Sequence, residues 1–104
     1  MSVVDGFDWD DGNWPKCARH GVTREEIEAA LLGEPYVLPD RTGLAGEVRL
    51  NAVGRSRDGR HLFIVFTLRQ RGGRHLLRPI SARYMHAKEI AHYERHQKAR
   101  RRET

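Results

Sequence analysis

The 104-residue chain contains a single cysteine and no long apolar run. The lone cysteine, Cys17, excludes internal disulfide bonds and is typical of a reducing compartment. No apolar stretch approaches the roughly 20 residues that a membrane-spanning helix needs. The first ten residues include acidic side chains where a secretory signal peptide carries basic ones. We therefore expect a cytoplasmic protein without a membrane partner.

Lysine is absent from the middle of the chain, where arginine is abundant. Residues 1–40 hold three basic and nine acidic side chains, residues 41–83 hold ten arginines and two acidic side chains, and residues 84–104 hold six basic and three acidic ones. The three segments therefore carry net charges of −6, +8 and +3, which sum to the +5 of the whole chain. Arginine binds phosphate oxygens through two parallel hydrogen bonds, whereas lysine serves solubility equally well. The middle segment thus predicts a polyanion partner, with an ordinary solvated surface as the alternative.

An arginine-edged hairpin over residues 60–83 is the centre of the predicted fold. The apolar run Leu62–Phe66 is rich in β-branched and aromatic residues and predicts a central strand buried on both faces. Gly72-Gly73 predicts the turn and Leu76–Ala82 the returning strand. Pro79 cannot donate a hydrogen bond to a neighbouring strand, which indicates an open edge or a bulge. Alternation predicts two faces of the returning strand, one with Leu76, Arg78, Ile80 and Ala82 and the other with Leu77, Ser81 and Arg83.

Helices and further strands are predicted on both sides of this hairpin. Asn13 is expected to cap a short helix that ends at Gly21. Thr23 and Glu26 form a capping box for the next helix, which ends at Gly33 and buries Ile27, Ala30 and Leu31. The remaining predicted elements are an extended Phe7–Asp10 segment, an extended Tyr36–Asp40 segment, a loop over residues 41–46, a strand over Glu47–Val53 and a helix from Met85 onward.

These elements predict a single α+β domain over residues 1–104. Consecutive strands joined by short turns favour an antiparallel β-sheet meander. We expect the meander to pack against the N-terminal helices and a C-terminal helix. The basic tail, residues 98–104, is expected to fray.

Four short motifs occur in a fixed order between residues 7 and 95. They are Phe7-Asp8-Trp9-Asp10; Asn13 with Arg19-His20-Gly21-Val22-Thr23 and Glu25-Glu26; Gly59-Arg60-His61-Leu62 continuing to Val65-Phe66-Thr67; and Ile80-Ser81-Ala82-Arg83 followed by Glu89, Tyr93 and Glu94. In this order and spacing the chain resembles BrnT-type toxins of type II toxin–antitoxin systems. The resemblance implies a RelE-like fold and a metal-independent endoribonuclease that arrests growth. It also implies a cognate DNA-binding antitoxin that neutralises the toxin in a hetero-oligomer.

Arginine, histidine and carboxylate side chains supply the chemistry that such an activity needs. Cleavage without a metal requires a base for the 2′-hydroxyl, a cation for the extra charge on the phosphate and an acid for the leaving oxygen. The resemblance implies that Arg69 and Arg83 are the functional arginines, and we expect them to converge on one phosphate. With His20 and Glu94 as proton-transfer candidates, the expected catalytic set is Arg69, Arg83, Glu94 and His20. The expected RNA-binding arginines are Arg60, Arg71, Arg74 and Arg78.

Several of these residues also have structural alternatives. Arg69 and Arg83 are alternatively surface arginines or partners of Glu94 in a salt bridge, and Arg78 is equally a candidate for such a structural role. A histidine at a helix end, such as His20, often serves packing or capping. Phe63 and Phe66 are assigned to the core, so no aromatic platform for RNA stacking is expected.

No metal and no small-molecule cofactor is expected. His92 and His96 have the i, i+4 spacing of zinc ligands but no third ligand nearby in the sequence. Asp8, Asp10 and Asp11 alternate with aromatic residues and are expected to form a solvent-facing edge. The alternative to an enzyme is a non-catalytic module that binds nucleic acid or a partner, as an inactivated toxin homologue would. Such a module needs only the basic face.

Overall fold

A computed structural model describes residues 4–40 and 48–103, with side chains described up to residue 99. Its elements are β1 (Gly6–Phe7), a short 3₁₀ helix (Lys16–His20), α1 (Arg24–Leu32), β2 (Tyr36–Asp40), β3 (Arg49–Arg55), β4 (His61–Arg71), β5 (Arg74–Tyr84) and α2 (Ala87–Glu103). The predicted α+β class is confirmed. Among the described residues, no helix is both long and apolar enough to cross a bilayer. The predicted loop at 41–46 and Glu47 lie outside the described residues.

The five strands form one mixed sheet in the order β1-β5-β4-β3-β2. Strands β3, β4 and β5 make the predicted antiparallel meander, with β4 central. β2, predicted only as an extended segment, adds a further antiparallel strand beside β3. β1 pairs in parallel with β5, where Gly6 lies opposite Leu76. The sheet is therefore mixed and not wholly antiparallel, because a two-residue strand from the N-terminus is added at its edge.

One face of the sheet packs against α1 and the 3₁₀ helix and contains the core. Leu62, Ile64 and Phe66 of β4 are buried there with the three predicted residues of α1. The capping box at the start of α1 is confirmed, since Thr23 and Glu26 exchange both hydrogen bonds. Phe63 and Val65 point to the other face and are only half-buried, so the prediction that β4 is buried on both faces is wrong for that face.

The β4–β5 hairpin turns at Gly72-Gly73, as predicted. Both glycines have positive φ, 56° and 78°, as a two-residue hairpin turn of the favoured type requires. The predicted irregularity at Pro79 is a bulge: Val65 lies opposite Ser81 and Phe66 opposite Pro79, so Ile80 has no partner. The extra residue reverses the alternation beyond it.

This bulge corrects the predicted faces of β5. Ala82 lies opposite Ile64, and Leu77 lies opposite Leu68. Ala82 therefore shares the core face with Leu77 and Pro79, and the prediction that it lies with Leu76 and Arg78 is wrong. A strict two-residue period cannot continue across an unpaired residue.

Asn13 does not cap the 3₁₀ helix, which has no side-chain cap. Its side chain is 3% exposed and joins two segments instead. The Asn13 Oδ1 accepts from the Asp10 N–H at 2.8 Å, and Nδ2 donates to the carbonyl oxygens of Asp8 and Pro79 at 2.9 Å each. A buried amide is stable only with its donor and acceptor sides both bonded, and these bonds tie the N-terminal segment to the bulge of β5.

Helix α2 contacts the face of the sheet opposite to α1. The Tyr93 ring lies 6.0 Å from the rings of both Tyr36 and His61, and the His96 ring lies 6.3 Å from Tyr36. Met85 and Ile90 are half-buried beside it. The predicted C-terminal helix is therefore confirmed, and the fraying of residues 98–104 stays a prediction.

Candidate functional site

Arg83 is held in a fixed position near the end of β5. Its Nη1 and Nη2 donate to the two carboxylate oxygens of Glu89 at 2.8 and 2.7 Å. Its guanidinium carbon lies 4.9 Å from the centre of the Phe63 ring, which is directly opposite on β4. The side chain is still 36% exposed. Arg83 is thus ordered by its neighbours and accessible to a ligand, and its partner is Glu89 rather than the expected Glu94.

Glu89 joins this arginine to the start of α2. Besides Arg83, its Oε1 accepts the backbone N–H of His86 at 2.9 Å, just before the first residue of the helix. The hydrogen bond from Arg83, with that of the His86 N–H, lowers the pKa of Glu89 to about 2. The bond to Glu89 in turn raises the pKa of Arg83. Both groups are therefore charged at neutral pH, and Glu89 is too weak a base to accept a proton from a hydroxyl.

Tyr84, the next residue, points to the core face of the same strand end. Its hydroxyl donates to Glu26 Oε1 at 2.7 Å, and this bond raises the pKa of Tyr84. The Arg60 guanidinium lies 3.4 Å from the centre of the Tyr84 ring. The Tyr84 hydroxyl is also 3.4 Å from the carbonyl oxygen of Gly21. That contact brings the end of the 3₁₀ helix, and with it His20, to the same end of β5 as Arg83.

His20 is exposed at the last position of that helix. Within the described residues it makes no hydrogen bond or ion pair with another side chain. The Tyr84–Gly21 contact thus places His20 at the Arg83 end of β5 but toward the core face, whereas Arg83 projects from the opposite face.

A second group of arginines lies at the opposite end of the hairpin. Arg71 Nη2 is 3.3 Å from an Asp8 oxygen, and Arg74 donates to the Asp5 carbonyl at 3.2 Å. Arg69 is exposed and, within the described part of the chain, makes no ion pair. We call Arg69, Arg71 and Arg74 the turn-end arginines.

Arg69 and Arg83 do not converge. Arg69 lies six residues along β4 from Phe63, the residue opposite Arg83. At about 3.3 Å per residue this separates the two backbone positions by roughly 20 Å. The expectation that they hold one phosphate is wrong, because the two arms of an antiparallel hairpin place these positions at opposite ends.

Arg78 stabilises the fold through ion pairs and contributes little to the exposed cationic surface. Its Nη2 lies 2.9 Å from Asp10 and its Nη1 lies 3.1 Å from Asp10 and 3.3 Å from Asp8, with the side chain 15% exposed. The hydrogen bond from Arg78 is the main cause that lowers the pKa of Asp10. The expected RNA-binding role of Arg78 therefore has little support in this geometry. Asp8, expected at a solvent-facing edge, is half-buried against the arginine.

Glu94 lies on α2 beside a different side chain of the sheet, His61. Burial lowers the pKa of His61, with Arg55 acting in the same direction and Glu94 opposing it. The His61 Nε2 atom is buried and has no hydrogen-bond partner in the described residues. Glu94 is exposed and makes no ion pair with Arg83. The four expected catalytic side chains are therefore not brought into one cluster.

A groove between α2 and the sheet lies directly beside Arg83. It has a volume of about 610 Å³, and Phe63 and Glu89 form part of its wall. Four more ring-bearing residues of the wall are Tyr36, His92, Tyr93 and His96. Sequence reasoning missed this site because it assigned Phe63 to the core. The sequence feature that could have indicated this groove is the spacing of His92, Tyr93 and His96 on one helix, which places their rings on a common side.

No group of three histidine, cysteine or acidic side chains in the described ranges lies close enough to hold a metal ion. His92 and His96 both face the groove, and no third ligand from those ranges accompanies them.

Comparison with known protein families gives a match over most of the chain. The family described as "Ribonuclease toxin, BrnT, of type II toxin-antitoxin system" matches residues 9–89. The chain belongs to the BrnT family. A search among curated proteins finds no match. The matched range of this BrnT chain contains Arg83 and Glu89 and ends before Glu94.

Membership confirms the resemblance read from the sequence motifs. The family is one of ribonuclease toxins, which implies RNA as the target and an antitoxin as the partner of this BrnT chain.

Proposed function

We propose that this chain is a metal-independent endoribonuclease toxin with a RelE-like fold, and that Arg83 is the centre of its cleavage site. The observation that carries the proposal is the fixed position of Arg83. Two hydrogen bonds that Arg83 donates to Glu89, together with the Phe63 ring, hold a guanidinium that stays one-third exposed. A donor fixed before the reaction stabilises developing charge more effectively than a mobile one. The strongly basic segment 41–83 supports an RNA substrate.

The chemistry assigned to the site is an in-line transfer within RNA. The 2′-oxygen loses its proton and bonds to the adjacent phosphorus, and the bond from phosphorus to the 5′-oxygen breaks. The 5′-oxygen gains a proton, so that the products are a 2′,3′-cyclic phosphate and a 5′-hydroxyl. Arg83 stabilises the additional negative charge on the phosphate oxygens.

Proton transfer is assigned to His20, which the contact between Tyr84 and Gly21 places at the Arg83 end of β5, toward the core face of the sheet. Imidazole can both accept and donate a proton near neutral pH. Glu94 is the alternative proton-transfer group; it lies beside His61 on α2, the helix that packs on the face of the sheet from which Arg83 projects. Glu89 is a positioning residue, because its low pKa keeps it ionised and bonded to Arg83.

The turn-end arginines are assigned to RNA binding away from the cleaved bond, and Arg60, which lies against the Tyr84 ring, to RNA binding at the Arg83 end of β5. Arg69 is too far from Arg83 to share a phosphate and has no competing ion pair within the described residues. Long-range attraction to the RNA backbone requires only that such cations lie on an accessible surface.

The proposed partner is a DNA-binding antitoxin that neutralises the toxin in a cytoplasmic hetero-oligomer. An antitoxin segment with acidic and apolar side chains complements the arginines of segment 41–83 and the basic α2, and blocks RNA by occupying that surface. Exposed charge pairs accelerate association and make it sensitive to salt, while apolar contacts set the dissociation rate.

The test is to induce the chain alone in a bacterium and to follow growth and RNA integrity. We expect growth arrest with RNA fragments that end in cyclic phosphate. Co-expression with the neighbouring small reading frame should restore growth and give one peak in size-exclusion chromatography. Two separate peaks with growth still arrested would reject the antitoxin assignment.

A non-catalytic binding module is the second candidate. It is favoured by the fact that both terminal nitrogens of Arg83 are already bonded to Glu89, and that His20 and Glu94 lie apart. Intact RNA and normal growth after induction of soluble protein would select this candidate.

A further inference from the structure

Rings from the sheet and from α2 surround the groove beside Arg83. Tyr36 and Phe63 come from the sheet, and His92, Tyr93 and His96 come from α2. The volume, about 610 Å³, is in the range of clefts that bind small organic groups. We propose that this groove binds one unstacked RNA base adjacent to the phosphate at Arg83. The inference rests on the proposed ribonuclease function and adds to it a subsite that selects the nucleotide.

Phe63 connects the subsite to the proposed cleavage centre. The guanidinium carbon of Arg83 lies 4.9 Å from the centre of the Phe63 ring. The same ring forms part of the groove wall. Glu89 likewise holds Arg83 and lines the groove. A nucleotide whose phosphate contacts Arg83 therefore has its base at the mouth of the groove. Single-stranded RNA is recognised in this way, by bases that leave the stack and lie against aromatic side chains.

The composition of the wall suits a base more than an aliphatic ligand. A base has apolar faces and polar edges. Leu38 and Val53 supply apolar contact for the faces, and the exposed side chains of His92 and His96 supply polar groups for the edges. Lys88 also lines the groove, so its charge complements the phosphate of a bound nucleotide.

An apolar antitoxin segment is the competing occupant of this groove. Its acidic side chains could pair with the cations beside the cavity, but it would not need several rings within the cavity. The observations favour the base, and the experiment separates the two.

The experiment compares two short RNA analogues that cannot be cleaved. Both are 2′-fluoro pentanucleotides, so the nucleophilic 2′-hydroxyl is absent. One carries 2-aminopurine at its central position and the other an abasic site there. We expect the first to bind about 5- to 100-fold more tightly, the size of one base–aromatic stack, and its fluorescence to fall on binding.

Variants of groove residues test whether the preference for the base-containing probe arises in the groove. Tyr36→Leu removes a ring and keeps an apolar side chain, and His92→Ala changes an exposed residue of α2. Each should reduce the preference for the base-containing probe. Val37→Ala is the matched control, because Val37 points away from the groove on the same strand and is 41% exposed. Arg83→Ala should weaken both probes by a similar factor, since it removes the phosphate contact that the two probes share.

Equal binding of the two probes by the wild-type chain would overturn the base subsite, and cleavage of ordinary RNA would then still support the ribonuclease. Unchanged base preference in Tyr36→Leu and His92→Ala, together with weakened antitoxin binding, would assign the groove to the antitoxin. A groove-dependent base preference with no cleavage of unmodified RNA would support the subsite and reject the proposed function.

Discussion

Replacing Glu89 with glutamine tests whether this carboxylate positions Arg83. Glutamine has nearly the same shape, and its oxygen can still accept the N–H of His86 at the start of α2. Its amide nitrogen is a donor and would face Arg83 Nη2, which is also a donor. Glu89→Gln therefore keeps the helix start and removes the charge and one of the two bonds to Arg83.

We expect Glu89→Gln to lower the free energy of unfolding only slightly and to lower the cleavage rate more strongly. The ion pair is about one-third exposed on both sides, so its loss should destabilise the fold by about 0.2–1 kcal/mol. A guanidinium that is no longer held in place stabilises the reacting phosphate less. Misplacement of a positioned group by about 1 Å can cost up to ~100-fold in rate, so we expect the cleavage rate at saturating RNA to fall about 10- to 100-fold.

The pH dependence of stability gives a separate check on the same pair. The pKa of Glu89 is lowered from 4.5 to about 2 in the folded chain, so folding favours the carboxylate. Its stabilising contribution is therefore complete above pH 4.5 and is lost as the pH falls through 2. Thermal unfolding of the wild type and Glu89→Gln should differ at neutral pH and converge near pH 2.

The assay is single-turnover cleavage of a short RNA, with Glu34→Gln as a control that removes an exposed carboxylate elsewhere. A rate equal to or above that of the wild type in Glu89→Gln would refute the positioning role, because it would mean that Glu89 competes with RNA for Arg83.

Three further predictions concern the fold and the RNA-binding surface. Asn13→Ala leaves the carbonyl oxygen of Pro79 without its donor, and should lower the free energy of unfolding by about 2–3 kcal/mol in denaturant titrations. Gly54→Ala would place a Cβ 2.7 Å from the Ala30 carbonyl oxygen, so the strand or helix must shift; we expect a loss of about 1–3 kcal/mol by the same measurement, and an unchanged midpoint would contradict the close packing. Arg69→Ala should weaken RNA binding and reduce the slope of log affinity against log salt by about 0.7 without slowing saturated cleavage, whereas a slowed chemical step would return Arg69 to the cleavage centre.

Local signals in the sequence predicted the elements that depend on neighbouring residues. The capping box at Thr23, the double-glycine turn at Gly72-Gly73 and the bulge at Pro79 each follow from the chemistry of a few adjacent side chains. The central position of β4 follows from its apolar run. These features were predictable because the energies that determine them are short-range.

The unpredicted features depend on contacts between distant parts of the chain. β1 is only two residues long, and its pairing with β5 carries no periodic signal. Asn13 has the sequence context of a helix cap, yet its side-chain amide donates a hydrogen bond to the carbonyl oxygen of Pro79, 66 residues away. Within the site, motif matching selected Arg83 but could not identify Glu89 as its partner, because the bulge and the start of α2 together determine which carboxylate reaches it.

The most direct test of the cleavage centre at Arg83 is the rate of RNA cleavage by purified protein in EDTA. Wild-type protein should cleave without added metal, and Arg83→Ala should be slower by about 10²–10³-fold while unfolding at a similar temperature. Arg57→Ala, which removes the same charge from an exposed turn, should cleave at the wild-type rate. Cleavage that disappears in EDTA and returns with magnesium, or an Arg83→Ala variant as fast as Arg57→Ala, would contradict the account.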